Sequence, residues 1–290
     1  MKTGLGELRP GLAVLHSRAM SYNAGVLLGG GAALLIDPGL FPDEVDRIKA
    51  YIYERGASPA HIVVTHSHWD HVLGPEYFPG VPVTQQQESL AVLAESGTRI
   101  EHQVTDWERQ SGVRRDMPFL LHQPEQTFAD RLEVTLGGKP IELLHAPGHA
   151  PEQLVVSNRA EETLWTADML SDIEIPFVMH SLEAYRQTLD RLSQLGVTTL
   201  VPGHGTPATS KAEVTARFDT DRAYLAELQR RVAAAVAAGR GAAETISDCA
   251  GMAYSCRDQN EEAHRLNVET AFIELGGVAD PVHPGWNRFQ

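Results

Sequence analysis

Three histidines and an aspartate fall within six residues, in the stretch Thr65-His66-Ser67-His68-Trp69-Asp70-His71. The apolar run Ile62-Val63-Val64 precedes them and predicts a buried strand, which puts the cluster on the loop at the strand's carboxyl end. In an extended loop, His66 and His68 point to the same side because alternate residues share a face. Asp70 and His71 follow as the chain bends toward a helix, so we expect them to approach from a second direction. Imidazole and carboxylate groups in this pattern suit one or two divalent metal ions.

The alternative interpretation of this cluster is a solvated, polar loop that is merely rich in histidine. Three further candidates bear on the choice, because each follows a predicted strand: His149, Asp168 and His204. Taken singly, His149 and His204 are also typical turn residues, and Asp168 is also typical of a cap. In layered α/β folds, however, the carboxyl ends of strands converge on one edge, where sites are built. The recurrence at strand ends therefore favours a metal site.

Asp37 ends another predicted strand, in the sequence Leu35-Ile36-Asp37-Pro38-Gly39. An aspartate there can support a metal site by accepting a hydrogen bond from a metal-binding imidazole. It can equally form a plain turn, which is the commoner role of aspartate before Pro-Gly. The residues alone favour the turn.

The periodicity of the chain predicts an alternating α and β protein. Short strands are predicted over residues 12–36, at 62–64 and 81–84, between 127 and 168, and at 197–201. Helices are predicted at 42–55, 86–95, 181–195, from the capping box of Ser210 and Glu213 to about Ala238, and at 259–275, and the polar stretch 97–117 is predicted to be helical in part. No repeat or linker divides the chain, so we predict one domain over 1–290 with a helical C-terminal extension, 208–290, packed on it. No residue of this extension shows a chemical pattern, and we interpret it as scaffold.

Composition narrows the class of protein and of partner. A hydrophobic fraction of 42% and a charged fraction of 21% are those of an ordinary globular protein. The net charge of −14 and the absence of a basic cluster argue against a nucleic-acid partner. The amino terminus lacks a signal-peptide pattern and no apolar run suits a membrane span, so a cytoplasmic location is predicted. Two free thiols are then expected at Cys249 and Cys256.

The chain resembles the metallo-β-lactamase superfamily in five motifs that occur in the family's order. They are Leu-Ile-Asp-Pro-Gly with Asp37, His66-x-His68-x-Asp70-His71, Ala-Pro-Gly-His with His149, Thr-Ala-Asp-Met-Leu with Asp168, and Pro-Gly-His-Gly with His204. The resemblance implies a four-layer αβ/βα sandwich with the site along one edge of the paired sheets. It also implies that Asp37 supports the site as well as making a turn.

Carried over by position, the resemblance implies two divalent metal ions, with zinc as the expected metal. His66, His68 and His149 would bind the first ion; Asp70, His71 and His204 would bind the second; Asp168 would bridge the two. A hydroxide shared by the ions would attack the carbonyl of a thioester, ester or lactone, while one ion polarises the carbonyl oxygen. Asp70 would orient the nucleophile and handle its proton. The expected partner is thus a small-molecule substrate, and no oligomeric state is predicted.

Departures from the family's branches narrow this expectation. Asp168 replaces the cysteine ligand of some β-lactamases, and His68 replaces the glutamate of the di-iron flavoprotein branch. The glyoxalase II branch is the nearest by motif, but Ala150-Pro151-Glu152 follows His149 where Thr-x-Gly is commoner, and its C-terminal basic glutathione-binding pattern is missing. Two alternatives stay open: a mononuclear iron dioxygenase of persulfides, and a catalytically silent binding protein on the same fold.

Overall fold

The computed structural model of the chain describes residues 3–114 and 118–278. The described residues form two compact units, one within Met1–His145 and Glu152–Ala167 and the other within Ala146–Pro151 and Asp168–Gln290. Two β-sheets and six α-helices are present among them, which confirms the predicted mixed α/β class. None of these helices is long and apolar enough to cross a membrane.

The first unit contains a seven-stranded sheet whose strands follow chain order. Strands β1 to β4 are antiparallel, and β4 to β7 are parallel. The hairpin between β3 and β4 turns on Gly30 and Gly31, whose φ angles of 58° and 79° suit a turn that favours glycine. The strands are β1 (Gly4–Arg9), β2 (Leu12–His16), β3 (Asn23–Gly29), β4 (Ala32–Ile36), β5 (Ser58–Val63), β6 (Val83–Gln86) and β7 (Gln126–Phe128).

Two helices belong to this unit, α1 (Pro42–Glu54) and α2 (Ser89–Ser111). Helix α1 matches its prediction closely, and α2 joins the helix predicted at 86–95 to the stretch 97–117, which was predicted to be helical only in part. The later turns of α2 bury only Ile100 and Val104, so their apolar stripe gives a weak periodic signal. Strand β5 begins before the predicted Ile62. Its first residues alternate between exposed and half-buried positions, so they lack the apolar run from which the strand was predicted.

Four antiparallel strands of the second sheet also lie in the first unit: β8 (Arg131–Leu136), β9 (Lys139–His145), β10 (Leu154–Asn158) and β11 (Thr163–Trp165). Strand β10 pairs with β11, with Val156 opposite Trp165. The buried Trp165 ring packs against β3, where a Cβ on Gly25 would lie 2.8 Å from its Cζ3 atom. Gly25 therefore allows the close approach of the two sheets in this unit.

The second unit contains β12 (Thr199–Val201) and four helices: α3 (Leu182–Ser193), α4 (Lys211–Ala237), α5 (Ala242–Cys249) and α6 (Arg257–Glu274). Helix α4 packs against the other three. Helices therefore occupy most of the stretch from Lys211 to Glu274; α5 is not among the predicted helices, and residues 279–290 lie outside the described residues. Both cysteines of the chain are free, with Cys249 buried and Cys256 exposed.

Ser210 is expected to contribute measurably to stability through the predicted capping box of α4. Its hydroxyl accepts from the Glu213 N–H at 3.3 Å, and the Glu213 carboxylate accepts from the Ser210 N–H at 3.1 Å. Ser210→Ala should lower the free energy of unfolding by about 1 kcal/mol, measured by urea denaturation. Ser210→Thr, which keeps the acceptor oxygen, is the control. Equal losses in both variants would contradict a capping role.

Candidate metal ligands

The loop that leaves β5 carries four of the predicted ligands, and its backbone is held at two points. The Thr65 carbonyl accepts a hydrogen bond from the Leu154 N–H at 2.9 Å, where β10 begins. The Ser67 N–H donates to Oε1 of Glu152, a buried carboxylate, at 2.9 Å. These contacts fix the backbone on both sides of His66, so the loop presents its side chains in defined directions.

His66 and His68 point to the same side of this loop, as expected for an extended stretch. Nε2 of His66 lies 3.0 Å from Nδ1 of His68, and the ring centroids are 4.5 Å apart. His66 is fully buried and His68 is half-buried. Each ring presents a nitrogen that could hold a metal ion.

His71 is held by Asp37, the aspartate at the end of β4. Oδ2 of Asp37 lies 2.9 Å from Nδ1 of His71 and accepts from the Thr65 hydroxyl at 2.7 Å; its Oδ1 accepts from the Thr65 N–H at 2.8 Å. Asp37 and His71 are both buried. Because Nδ1 of His71 contacts Asp37, its other ring nitrogen, Nε2, faces Asp70, whose Oδ2 lies 3.6 Å away. Asp37 also has a left-handed φ of 44°, so it occupies a turn as well.

In the second unit, His149 is oriented by backbone contacts around Gly148. Gly148 has a φ of 145°, and a Cβ there would lie 2.4 Å from the Cα of Tyr185 on α3. Nδ1 of His149 lies 2.8 Å from the Phe177 carbonyl, so this nitrogen is the donor. Nε2 then faces Asp168 at 3.5 Å.

Asp168 follows β11 and lies beside two predicted ligands of the same unit. Its Oδ2 is 3.5 Å from Nε2 of His149, and its Oδ1 is 3.7 Å from Nε2 of His204. His204 follows β12, and its carbonyl accepts from the Ser171 hydroxyl at 2.8 Å. The side-chain oxygens of Asp168 thus point toward one imidazole each.

The donor chemistry of both units fits divalent metal ions. Imidazole nitrogens and carboxylate oxygens are ligands for zinc, iron, manganese and cobalt. In His71 and His149, Nδ1 contacts an oxygen acceptor, which is typical of metal-binding histidines because it fixes the tautomer and the ring orientation.

Desolvation raises the pKa of the Tyr185 hydroxyl, which donates to the Asp168 carbonyl at 3.4 Å, so this phenol stays neutral.

The sequence did not predict two acceptors that orient these groups. The Phe177 carbonyl is a backbone group, which carries no signal in the residue types. In the sequence, Glu152 stands out only as a departure from the commoner family motif, yet its carboxylate accepts from the Ser67 N–H between His66 and His68.

Comparison with known proteins places these residues in a family context. A profile of the Metallo-beta-lactamase superfamily matches residues 18–204, more than half of the chain and all of the candidate ligands. The chain is 26% identical to the linear primary-alkylsulfatase of Pseudomonas sp. (strain ATCC 19151), over 62% of this chain and 41% of that protein. It is 24% identical to the acyl-coenzyme A thioesterase MBLAC2 of Gallus gallus, over 63% of this chain and 72% of that protein.

A solved structure shows the same fold. The stereoselective inverting sec-alkylsulfatase Pisa1 from Pseudomonas sp. superposes with a TM-score of 0.74 at 17% identity, covering 97% of this chain and 51% of that protein. The chain spans about half the length of the first curated relatives that it matches. The likeness therefore establishes the fold and leaves the substrate open.

Proposed function

The chain belongs to the metallo-beta-lactamase superfamily, and we propose that it is a hydrolase that uses two divalent metal ions. The observation that carries the proposal is the Asp168 carboxylate, which presents one oxygen to His149 and the other to His204. Such a carboxylate could help to hold two metal ions. Metal held by these residues would lower the pKa of a water molecule and polarise the substrate's carbonyl oxygen.

The proposed ligand sets follow the family pattern. They are His66, His68 and His149 for one ion; Asp70, His71 and His204 for the other; and Asp168 for both. Asp37 and the Phe177 carbonyl hold the tautomers of His71 and His149 through Nδ1. Zinc is the expected metal, and the same donors accept iron, manganese or cobalt according to supply.

Asp70 is the proposed catalytic acid–base group. Its carboxylate lies beside His71, and 8% of the surface of this largely buried residue is exposed. A carboxylate in this position can accept a proton from the attacking water and pass it to the leaving group.

A thioester is the substrate class we favour among thioesters, esters and lactones, because a relative aligned over most of its length is an acyl-coenzyme A thioesterase. A sulfate ester is the second candidate, because two alkylsulfatases resemble this chain. The linear primary-alkylsulfatase is similar in sequence, and the sec-alkylsulfatase Pisa1 is similar in fold. Both candidates are small molecules, in keeping with an acidic chain that lacks a nucleic-acid-binding pattern.

The proposal predicts metal content and hydrolysis together. Purified protein should contain about two equivalents of metal and should hydrolyse at least one member of a panel made of an acyl-coenzyme A, a lactone, an aryl ester and a primary alkyl sulfate. His71→Ala removes a proposed ligand and should lower turnover by at least about 100-fold. Elemental analysis and initial rates provide the two measurements.

His122→Ala is the matched control, because His122 is a partly exposed histidine outside the candidate ligands that contacts the Glu125 carboxylate among the described residues. It should leave metal content and rate unchanged. One equivalent of iron with oxygen uptake on a persulfide would replace the proposal with the dioxygenase. A chain that takes up no metal would return the His66–His71 cluster to the polar-loop interpretation.

A further inference from the structure

Asp168 lies in a strained stretch of backbone. Ala167 and Leu170 have left-handed φ angles of 49° and 60°, although neither is glycine. Such conformations persist only where surrounding contacts hold them in place. The Asp168 loop (residues 168–172), which directly follows Ala167, therefore depends on support from other elements of its unit.

Helix α4 provides this support through Arg217. Nη1 of Arg217 donates to the Leu170 carbonyl at 3.1 Å, and Nη2 donates to the Thr206 carbonyl at 3.0 Å. Thr206 belongs to the His204 loop (residues 202–206), so one guanidinium holds both loops. The planar fork of donors on arginine permits this double contact, which the single ammonium of lysine cannot reproduce in the same geometry.

Asp221, four residues along α4, contacts the other backbone polar group of Leu170, its N–H. Its Oδ2 accepts from the Leu170 N–H at 3.1 Å, and its side chain is buried. Residues four apart share a helix face, so Arg217 and Asp221 reach Leu170 together. Helix α4 thus satisfies both the N–H and the carbonyl of a residue with an unfavourable φ angle.

The two loops are also joined directly. The Ser171 hydroxyl donates to the His204 carbonyl at 2.8 Å, and Oδ1 of Asp172 accepts from the Thr206 N–H at 2.7 Å. Arg217 lies 3.5 Å from the same Asp172 oxygen. These contacts connect the Asp168 loop to the His204 loop independently of the two Arg217 hydrogen bonds to backbone carbonyls.

We propose that Arg217 and Asp221 are positioning residues for the Asp168 carboxylate and the His204 imidazole. The separation that they maintain is the 3.7 Å between Oδ1 of Asp168 and Nε2 of His204. Small displacements of a ligand are sufficient to weaken a metal site, since ligands act only within a narrow range of geometry. This inference rests on the proposed two-metal function.

Arg217→Ala tests the inference. We expect zinc affinity, measured by competition with a chelator, to fall by 10- to 100-fold, and the absorption spectrum of the cobalt-substituted protein to change. Arg217→Lys should lose less, because its ammonium keeps one of the two carbonyl contacts. Asp221→Asn should bind zinc like the wild type, because its amide oxygen still accepts from the Leu170 N–H, whereas Asp221→Ala should resemble Arg217→Ala.

Arg222→Ala is the matched control. Arg222 also lies on α4 and donates to a backbone carbonyl, that of Leu189 at 3.3 Å, but it contacts neither ligand loop. Its replacement should leave zinc affinity and the cobalt spectrum unchanged, even if stability falls. Circular dichroism establishes that each variant is folded, and if Arg217→Ala is not, Arg217→Lys and the Asp221 pair decide the outcome.

Two results would overturn the positioning role. One is a folded Arg217→Ala protein with wild-type zinc affinity and cobalt spectrum; the other is an equal loss of affinity in Arg217→Ala and Arg222→Ala. A wild-type protein that binds two ions but hydrolyses no panel substrate would count against the proposed function alone, since the affinity measurements still test Arg217. A wild-type protein that binds no metal would overturn both.

Discussion

Replacing Asp37 by alanine should both destabilise the protein and weaken its metal site. The carboxylate accepts two hydrogen bonds from Thr65 and contacts Nδ1 of His71, all in a buried environment. Its removal leaves the Thr65 N–H and the His71 ring without this acceptor. We expect the free energy of unfolding to fall by about 3–5 kcal/mol, measured by urea denaturation. Zinc affinity should fall by 10- to 100-fold, because the imidazole loses its fixed tautomer and orientation.

Asp37→Asn separates these two effects. The amide oxygen can still accept from the Thr65 N–H, but its NH₂ group then faces Nδ1 of His71, where a donor meets a donor. This variant should therefore keep more stability than Asp37→Ala while still losing zinc affinity. Asp43→Ala, which removes an exposed carboxylate on α1, controls for the loss of a charge. An unchanged zinc affinity in both Asp37 variants would show that Asp37 serves only as a turn and packing residue.

For Asp37, the local sequence predicts the backbone turn but not the contact with His71. Its position before Pro-Gly predicts a turn, and its φ angle of 44° agrees. The contact with His71 joins residues 34 positions apart, so no local pattern reveals it. The family resemblance did favour a supporting role, because it relates distant motifs that periodicity treats separately.

Local patterns predicted the elements that carry strong periodicity or caps. The capping box of Ser210 and Glu213 was predicted and is observed, because both partners lie within one turn. Helix α5 was missed, since eight residues with Gly241 before them give little periodic signal. The His66–His68 neighbourhood was likewise predictable, because two residues in an extended loop determine it.

The contacts of α4 could not be predicted in this way. Arg217 and Asp221 lie on a long helix that is charged on much of its surface, where such residues are common. Their significance depends on which loop lies opposite, and Leu170 is 47 residues away from Arg217 in the chain. The sequence alone therefore indicates only a scaffold for this extension. In the structure, Arg217 and Asp221 contact the backbone of Leu170, two residues after Asp168.

The buried carboxyl of Asp221 should make stability depend on pH. Burial raises its pKa from 3.8 to about 8, more than the Leu170 N–H and the Arg217 charge lower it. Between these two values, the folded protein holds a proton that the unfolded chain has released. The free energy of unfolding should therefore decrease as pH rises from about 4 to about 8, by up to about 1.4 kcal/mol per pH unit for this group. Above about pH 8 this contribution no longer changes.

Asp221→Asn removes this proton while keeping the acceptor for the Leu170 N–H. The variant and the wild type should differ little in stability at pH 4, and the variant should be the more stable by several kcal/mol at pH 9. Urea denaturation of both proteins at pH 4, 6.5 and 9, at equal metal content, measures the difference. Asp219→Asn, an exposed position on the same helix, should change stability by less than about 0.5 kcal/mol at each pH. A constant difference between Asp221→Asn and the wild type would mean that Asp221 is ionised in the folded protein throughout, held by Arg217 more strongly than burial opposes it.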